Sequence, residues 1–89
     1  MDPEKVYQQM QDLASGNGIR VRLEKGDFEG GFCVLKEERI VVINKKLPLS
    51  RKLSVLVQGL AAIGIEHLEI DPALRAFIED ELVKAARPH

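Results

Sequence analysis

The sequence predicts an α+β domain in which a helix, a three-stranded antiparallel β meander and two further helices follow one another (α-β-β-β-α-α). Residues 50–64 (SRKLSVLVQGLAAIG) are apolar nearly all round, with apolar side chains every three or four positions, which is typical of a helix covered on more than one side. Residues 19–24 alternate between apolar and charged side chains, as a half-buried strand does. Residues 40–43 are apolar without a break and rich in β-branched side chains, which indicates a strand covered on both faces.

The first helix is expected at about residues 3–15. Asp2 can accept hydrogen bonds from the free N–H groups of the first turn, and Pro3 is tolerated at the first helical position. The apolar stripe that follows consists of Val6, Met10, Leu13 and Ala14. Gly16 and Gly18 then supply a left-handed ending.

Three strands are expected, at residues 19–24, 30–35 and 39–44. The first carries Arg20 and Arg22 on its polar face, and we place it at an edge of the sheet, where charge protects a strand from unwanted pairing. A turn at residues 25–27 leads to the second strand. The second and third strands are joined by a short charged connection, which indicates a hairpin. The three strands would therefore form an antiparallel meander.

Ser50 is the expected N-terminal cap of the central helix, and Gly64 its expected end. Asp71 and Pro72 repeat the starting signal of the first helix, so a last helix is expected near residues 72–86. Its buried stripe consists of Leu74, Phe77, Ile78, Leu82 and Ala85. Since no linker, repeat or low-complexity segment divides the sequence, residues 1–89 are expected to form one domain.

Charge and composition argue against several classes of protein. Thirteen basic residues against fourteen acidic ones give a net charge of −1, whereas an electrostatic nucleic-acid binder needs a basic surplus. No apolar run approaches the roughly 18–20 residues of a membrane span, and residues 1–11 do not resemble a secretory signal. A single cysteine cannot form an internal disulfide. We therefore expect a soluble, cytoplasmic protein.

Cys33 and the pair Gly30-Gly31 are expected to be structural. A catalytic thiol needs a base and an electropositive setting, and no histidine lies near Cys33 in the sequence, so a buried small hydrophobic side chain is expected. The glycine pair lacks the downstream glycine and the helix of a phosphate loop. Glycine at the start of a strand more often allows a bulge or the close approach of another backbone.

Four potential metal ligands fall within six residues: Glu66, His67, Glu69 and Asp71. Only one of them is a histidine, and Glu66 and His67 would point about 100° apart on a helix. We therefore expect no metal, no cofactor and no catalytic site, and we expect the acidic run at 79–81 to be a solvated helix face. A small metal-dependent hydrolase using His67 with these carboxylates is the alternative. A weaker hypothesis is nucleic-acid binding through six basic side chains: Arg20, Arg22, Lys45, Lys46, Arg51 and Lys52.

The order of a helix, a β meander and a helix packed over it resembles the minimal core of zinc-dependent metallopeptidases of the ImmA/IrrE type. The runs 31–34 (GFCV) and 39–44 (RIVVIN) are also similar to short bacterial proteins that share this core without its metal. In the peptidases, the helix after the last strand carries His-Glu-x-x-His, whose histidines bind zinc and whose glutamate activates a water. Laid over this sequence, the motif falls on Gln58, Gly59 and Ala62. The resemblance thus implies a peptidase-like core without the zinc ligands or the general base.

Taken together, these observations predict a non-catalytic domain, not an enzyme, that acts by binding protein. The resemblance implies that this domain is a metallopeptidase-like core that lost its zinc. A homodimer is also expected. The sequence contains a strand that is apolar on both faces and a helix that is apolar nearly all round, and three strands and three helices offer few layers to cover them. A partner chain would supply the missing cover, and two-fold dimers are the commonest oligomers.

Overall fold

The computed structural model of the protein describes residues 2–35, 37–64 and 69–86. The elements in chain order are α1 (Pro3–Gly16), β1 (Ile19–Glu24), β2 (Gly30–Leu35), β3 (Glu38–Asn44), α2 (Leu49–Ile63) and α3 (Pro72–Ala86). The predicted fold class and element order are confirmed. The predicted boundaries differ from the observed ones by no more than one residue, except at the start of α2, where a cap at Ser50 would begin the helix two residues late.

The sheet is mixed, with the strand order β1-β3-β2. β2 and β3 form the predicted antiparallel hairpin, in which Gly30 lies opposite Ile43. β1 pairs with β3 instead of β2 and runs parallel to it, with Ile19 opposite Arg39. The predicted antiparallel meander is therefore wrong in its pairing. The central place goes to β3, whose β-branched run at residues 40–43 is largely buried, because a central strand has a neighbour on each side.

Asn44 holds the loop that makes this strand order possible. The loop at residues 25–29 leaves the end of β1, crosses the end of β3 and enters β2 on the other side. The Asn44 side chain donates from Nδ2 to the carbonyl oxygens of Gly26 (2.8 Å) and Phe28 (2.7 Å), and its Oδ1 accepts from the Lys46 N–H (3.0 Å). Asn44 is only 8% exposed, and these bonds satisfy its amide and bind the crossing loop to the central strand.

The helices pack on one face of the sheet, which we call the helix face. The strand side chains that join the helices in one core are Ile19, Val21, Phe32, Val41 and Ile43, which alternate along their strands and lie on the same side. Arg20, Arg22 and Cys33 lie on the opposite, open face together with Ile40. Ile40 is 2% exposed and Val41 0%, so β3 is buried on both faces as predicted.

The central helix α2 contacts α1, α3, β2 and β3, which confirms that it is covered on more than one side. Pro48 occupies its N-cap position and its carbonyl accepts hydrogen bonds from Arg51 and Lys52. The predicted cap at Ser50 is wrong, since Ser50 lies inside the first turn and is exposed. Gly64 ends the helix as predicted, with a left-handed φ of 97°.

The outer helices begin at the predicted aspartates. The Asp2 carboxylate accepts from the Glu4 N–H at 3.0 Å, and the Asp71 carboxylate accepts from the Ala73 N–H at 3.1 Å. α1 ends at Asn17, whose Nδ2 donates to the Leu13 carbonyl at 2.8 Å. None of the helices in the described part of the chain has the length and apolar character needed to cross a membrane.

Candidate protein-binding site

β2 is an outermost strand of the sheet and carries no charged side chain. Its sequence is GGFCVL, and within the described residues it is paired on one side only, with β3. Val34, near its end, is 59% exposed. An uncharged edge strand offers unpaired N–H and C=O groups that another strand can use.

The hydrogen-bond pattern shows which groups of β2 face outward. The Asn44 N–H donates to the Glu29 carbonyl at 2.9 Å, so residue 29 points its polar backbone groups at β3. In an antiparallel pair these groups alternate in direction from one residue to the next. The N–H and C=O groups of Gly30, Phe32 and Val34 therefore point away from β3, at the free edge.

A groove of about 350 Å³ runs along this edge on the helix face, between β2 and α2. We call it the β2 groove; its lining consists of Glu29, Gly30, Gly31, Phe32, Val55, Gln58, Gly59 and Ala62. The absence of a side chain at Gly30 is enforced by the backbone: its φ is +149°, and a Cβ there would lie 2.2 Å from the Val42 carbonyl oxygen and 2.7 Å from Val55 Cγ1. Residue 30 must therefore be glycine, and its bare backbone contributes to the lining of the groove.

Polar side chains border the β2 groove. Glu29, which lines the groove, forms an ion pair with Arg51, and Gln58 Nε2 donates to Ser54 Oγ at 3.1 Å. A neighbouring hollow of about 280 Å³ continues from here towards Lys84. The site thus combines an apolar floor with a polar rim, which is the usual anatomy of a protein-binding surface.

The β1 edge is built differently. Arg20 pairs with Glu38 at 3.2 Å, and Arg22 pairs with Glu24 at 3.4 Å. A cleft of about 590 Å³ lies between α1 and this edge, and most of its lining is polar or charged: Gln11, Asp12, Ser15, Arg20, Glu37 and Glu38, with Gly18, Ile19 and Val21. These charged groups protect β1 from strand pairing, as its sequence predicts.

The three positions to which the peptidase resemblance assigns its motif all line the β2 groove but differ in burial. Gln58 and Ala62 are exposed and line the β2 groove. Gly59 is buried against the sheet, where a Cβ would lie 2.8 Å from Val41 Cγ2. Glycine at position 59 therefore allows α2 to pack closely on β3.

The predicted acidic cluster is only partly described. Glu66 and His67 lie outside the described residues. Glu69 is exposed, and Asp71 caps α3. The described residues contain no group of three or more histidine, cysteine or acidic side chains arranged to hold a metal ion. In the acidic run of α3, Asp80 and Glu81 lie 3.2 Å and 3.9 Å from Lys84 Nζ, and Glu79 is exposed.

Cys33 is half-buried on the open face of the sheet, opposite Ile40, as a free thiol. The basic residues of the nucleic-acid hypothesis are not gathered into one surface. Arg20 and Arg22 lie on the open face at the β1 edge, whereas Arg51 lies on the helix face beside the β2 edge. All three form ion pairs with glutamates.

Sequence reasoning did not find the β2 edge, because a meander would have placed β2 in the middle of the sheet. The signals that could have pointed to it are the six uncharged residues of β2 and the pair Gly30-Gly31. The structural role of Asn44 was also missed, since one asparagine after an apolar strand has no specific pattern around it.

Comparison with known proteins found no relative of this chain. No family model matches the chain, and neither the curated proteins nor the solved structures include a match. The resemblance to ImmA/IrrE-type peptidases therefore stays a prediction.

Proposed function

We propose that this protein is a non-catalytic domain that binds another protein by adding a strand to the free edge of β2. The observation that supports this function is the outward-facing backbone of Gly30, Phe32 and Val34 on an uncharged strand. In strand addition, main-chain hydrogen bonds supply affinity, and alternate side chains of the added strand enter pockets beside the edge.

The β2 groove supports the same function, because it lies where those alternate side chains would enter. A strand added to β2 would place every second side chain on the helix face, beside α2. Phe32 and Val55 offer apolar contact there, and the Glu29–Arg51 pair gives a polar border. The expected partner segment is extended and carries small or medium apolar side chains at alternate positions.

Gly59 favours binding over hydrolysis. The position that the resemblance assigns to a general base faces Val41 in the core, where a side chain would push α2 away from β3. We therefore include in the proposal that the domain is a metallopeptidase-like core in which close packing of α2 has taken the place of the zinc motif.

The test uses two proline variants at matched positions. Val34→Pro and Leu23→Pro each replace a partly exposed apolar residue (59% and 45% exposed) on the helix face of an edge strand. The Val34 N–H points outward and makes no ladder bond. The Glu24 carbonyl accepts a hydrogen bond from the Lys45 N–H. Because backbone N–H and C=O groups alternate in direction along a strand, those of the neighbouring Leu23 point away from β3. Proline removes an outward N–H in each variant and blocks pairing at that edge alone.

The protein is immobilised sparsely, so that copies do not meet, and a displayed library of short random peptides is selected on it. Selected peptides are then measured by fluorescence anisotropy. We expect Val34→Pro to weaken their binding about tenfold or more and Leu23→Pro to leave it within about twofold. Failure of the monomeric protein to select any peptide, or equal binding by the wild type and Val34→Pro, would contradict the proposed function.

A further inference from the structure

The helix face of β2 is complementary to the helix face of a second β2 strand. Val34 projects from this face and is 59% exposed. Gly30, four residues earlier on the same strand, carries no side chain and lines the β2 groove. One strand thus carries a projecting apolar side chain near one end and an apolar groove at the other.

We propose that the partner at the β2 edge is a second copy of this chain, paired antiparallel about a two-fold axis at Phe32; this inference rests on the proposed function. The axis places Gly30 opposite Val34 of the partner subunit, and Val34 opposite Gly30 of the partner subunit. Each Val34 side chain then fills the β2 groove of the other copy, so that each groove is incomplete without its partner.

The outward-facing backbone groups agree with this register. They belong to Gly30, Phe32 and Val34, and the axis brings residues 30, 32 and 34 opposite residues 34, 32 and 30. Each facing pair can exchange N–H···O bonds, as hydrogen-bonded pairs of an antiparallel ladder do. The product is a continuous sheet made from two three-stranded sheets, with both helix layers on the same side.

Charge directs the pairing to β2 and away from β1. An antiparallel pair of β1 strands about residue 21 would bring Arg20 opposite Arg22 of the partner subunit, and directly opposed like charges are unfavourable. β2 has no charged residue to oppose pairing. Among the described residues that line the β2 groove, Glu29 is the one with a charged side chain, and it forms an ion pair with Arg51.

The first experiment is light scattering after size-exclusion chromatography at micromolar concentrations. We expect the wild type and Leu23→Pro to have twice the chain mass of 10.0 kDa, and Val34→Pro to have a mass of 10.0 kDa. Val34→Lys is a second variant, because its side chain is exposed in the single copy but would enter the partner's apolar groove. It is also expected at 10.0 kDa, and circular dichroism checks that each variant is folded.

The second experiment tests the register. Residues 31 and 33 of opposite copies would form a non-hydrogen-bonded pair with Cα atoms about 4.5 Å apart, within the range that a disulfide needs. A Cβ added at Gly31 meets nothing within 4 Å, so cysteine fits there. Gly31→Cys should therefore form a covalent dimer with the native Cys33 on oxidation, whereas Gly31→Cys/Cys33→Ser should not.

Three results would overturn the inference. They are a wild-type mass of 10.0 kDa throughout, a dimer that persists in folded Val34→Pro and Val34→Lys, and a wild type that cross-links through Cys33 as readily as Gly31→Cys. A monomeric wild type that still binds selected peptides at the β2 edge would refute the second copy and leave the proposed function standing. A monomer that selects no peptide would refute both.

Discussion

β1 and β2 both pair with the central strand β3, but they differ in the charge of their side chains. β1 alternates apolar side chains with Arg20, Arg22 and Glu24, and two ion pairs run along its open face. β2 has no charge, begins with two glycines and exposes Val34. The cleft beside β1 is lined mostly by polar side chains, whereas the β2 groove has an apolar floor of Phe32, Val55 and Ala62.

From this difference we infer that the particular residues of an edge strand, and not its position alone, decide whether it can pair with another strand. Exposed strand edges invite pairing unless charge, proline or a bulge prevents it. β1 has such a device and β2 has none in the described structure. Since both strands belong to one small sheet, the comparison isolates the contribution of sequence, and the following predictions test it.

The largest effect is expected at the first residue of β2. Gly30→Ala places a Cβ 2.2 Å from the Val42 carbonyl oxygen at a φ of +149°, and should lower the free energy of unfolding by about 3 kcal/mol. Gly31→Ala, one residue further on, meets nothing within 4 Å and should change it by no more than about 0.5 kcal/mol. Urea denaturation of the two variants measures the difference. Equal destabilisation would show that the backbone of Gly30 is not what shapes the groove.

The next largest effect concerns the loop that separates the two edges. Asn44→Ala removes two hydrogen bonds to the loop carbonyls and one from Lys46, and should cost about 2 kcal/mol of stability. Asn17→Ala is the control: it removes a single side-chain bond, to the Leu13 carbonyl, and should cost about 1 kcal/mol. Hydrogen exchange should show earlier opening of residues 25–29 in Asn44→Ala. Unchanged protection there would mean that the crossing loop is held by other contacts.

A smaller effect is expected from Tyr7 on α1, the helix that packs beside β1. Its hydroxyl is buried and has no hydrogen-bond partner among the described residues, and burial raises its pKa above the ordinary value of 10.0. Tyr7→Phe removes this unsatisfied group and should stabilise the protein by about 1 kcal/mol at neutral pH.

The raised pKa of Tyr7 also fixes the sign of its pH dependence. Burial favours the protonated hydroxyl in the folded state. The part of the folding free energy that depends on this protonation is therefore fully present below pH 10.0 and is lost as the pH rises through the folded-state pKa. Melting temperatures measured from pH 8 to 11 should fall more steeply above pH 10.0 in the wild type than in Tyr7→Phe. Parallel curves would contradict the burial of the hydroxyl.

The smallest effect on stability is expected from the charges of β1. Arg20→Thr/Arg22→Thr removes two exposed ion pairs, which should change the free energy of unfolding by less than about 1 kcal/mol. The same variant should associate further than the wild type, because the β1 edge loses its protection. Light scattering over a concentration series measures this. An unchanged mass would show that charge is not what keeps β1 unpaired.

Structural features that depend on a few neighbouring residues were predicted from the sequence. Asp2 and Asp71 mark the helix starts, Gly64 ends α2, and the β2–β3 hairpin follows from its short connection, because capping and tight turns depend on neighbouring residues. Ser50 shows where local reasoning failed. Ser50 is a good capping residue, but it stands two positions after Pro48, which has a preset φ of −64° and already begins the turn.

The candidate site could not be predicted, because it depends on which strand became central. A turn between β1 and β2 specifies that the chain reverses direction, but not which hydrogen-bonding edge the returning strand joins. In the structure β3, with its largely buried β-branched run at residues 40–43, lies between the other two strands, and Asn44 binds the crossing loop over the end of β3. The sequence by itself determined the elements, their ends and the charge on each strand. Only the tertiary structure placed the uncharged strand at a free edge, because strand order is a competition between distant segments for the same buried position.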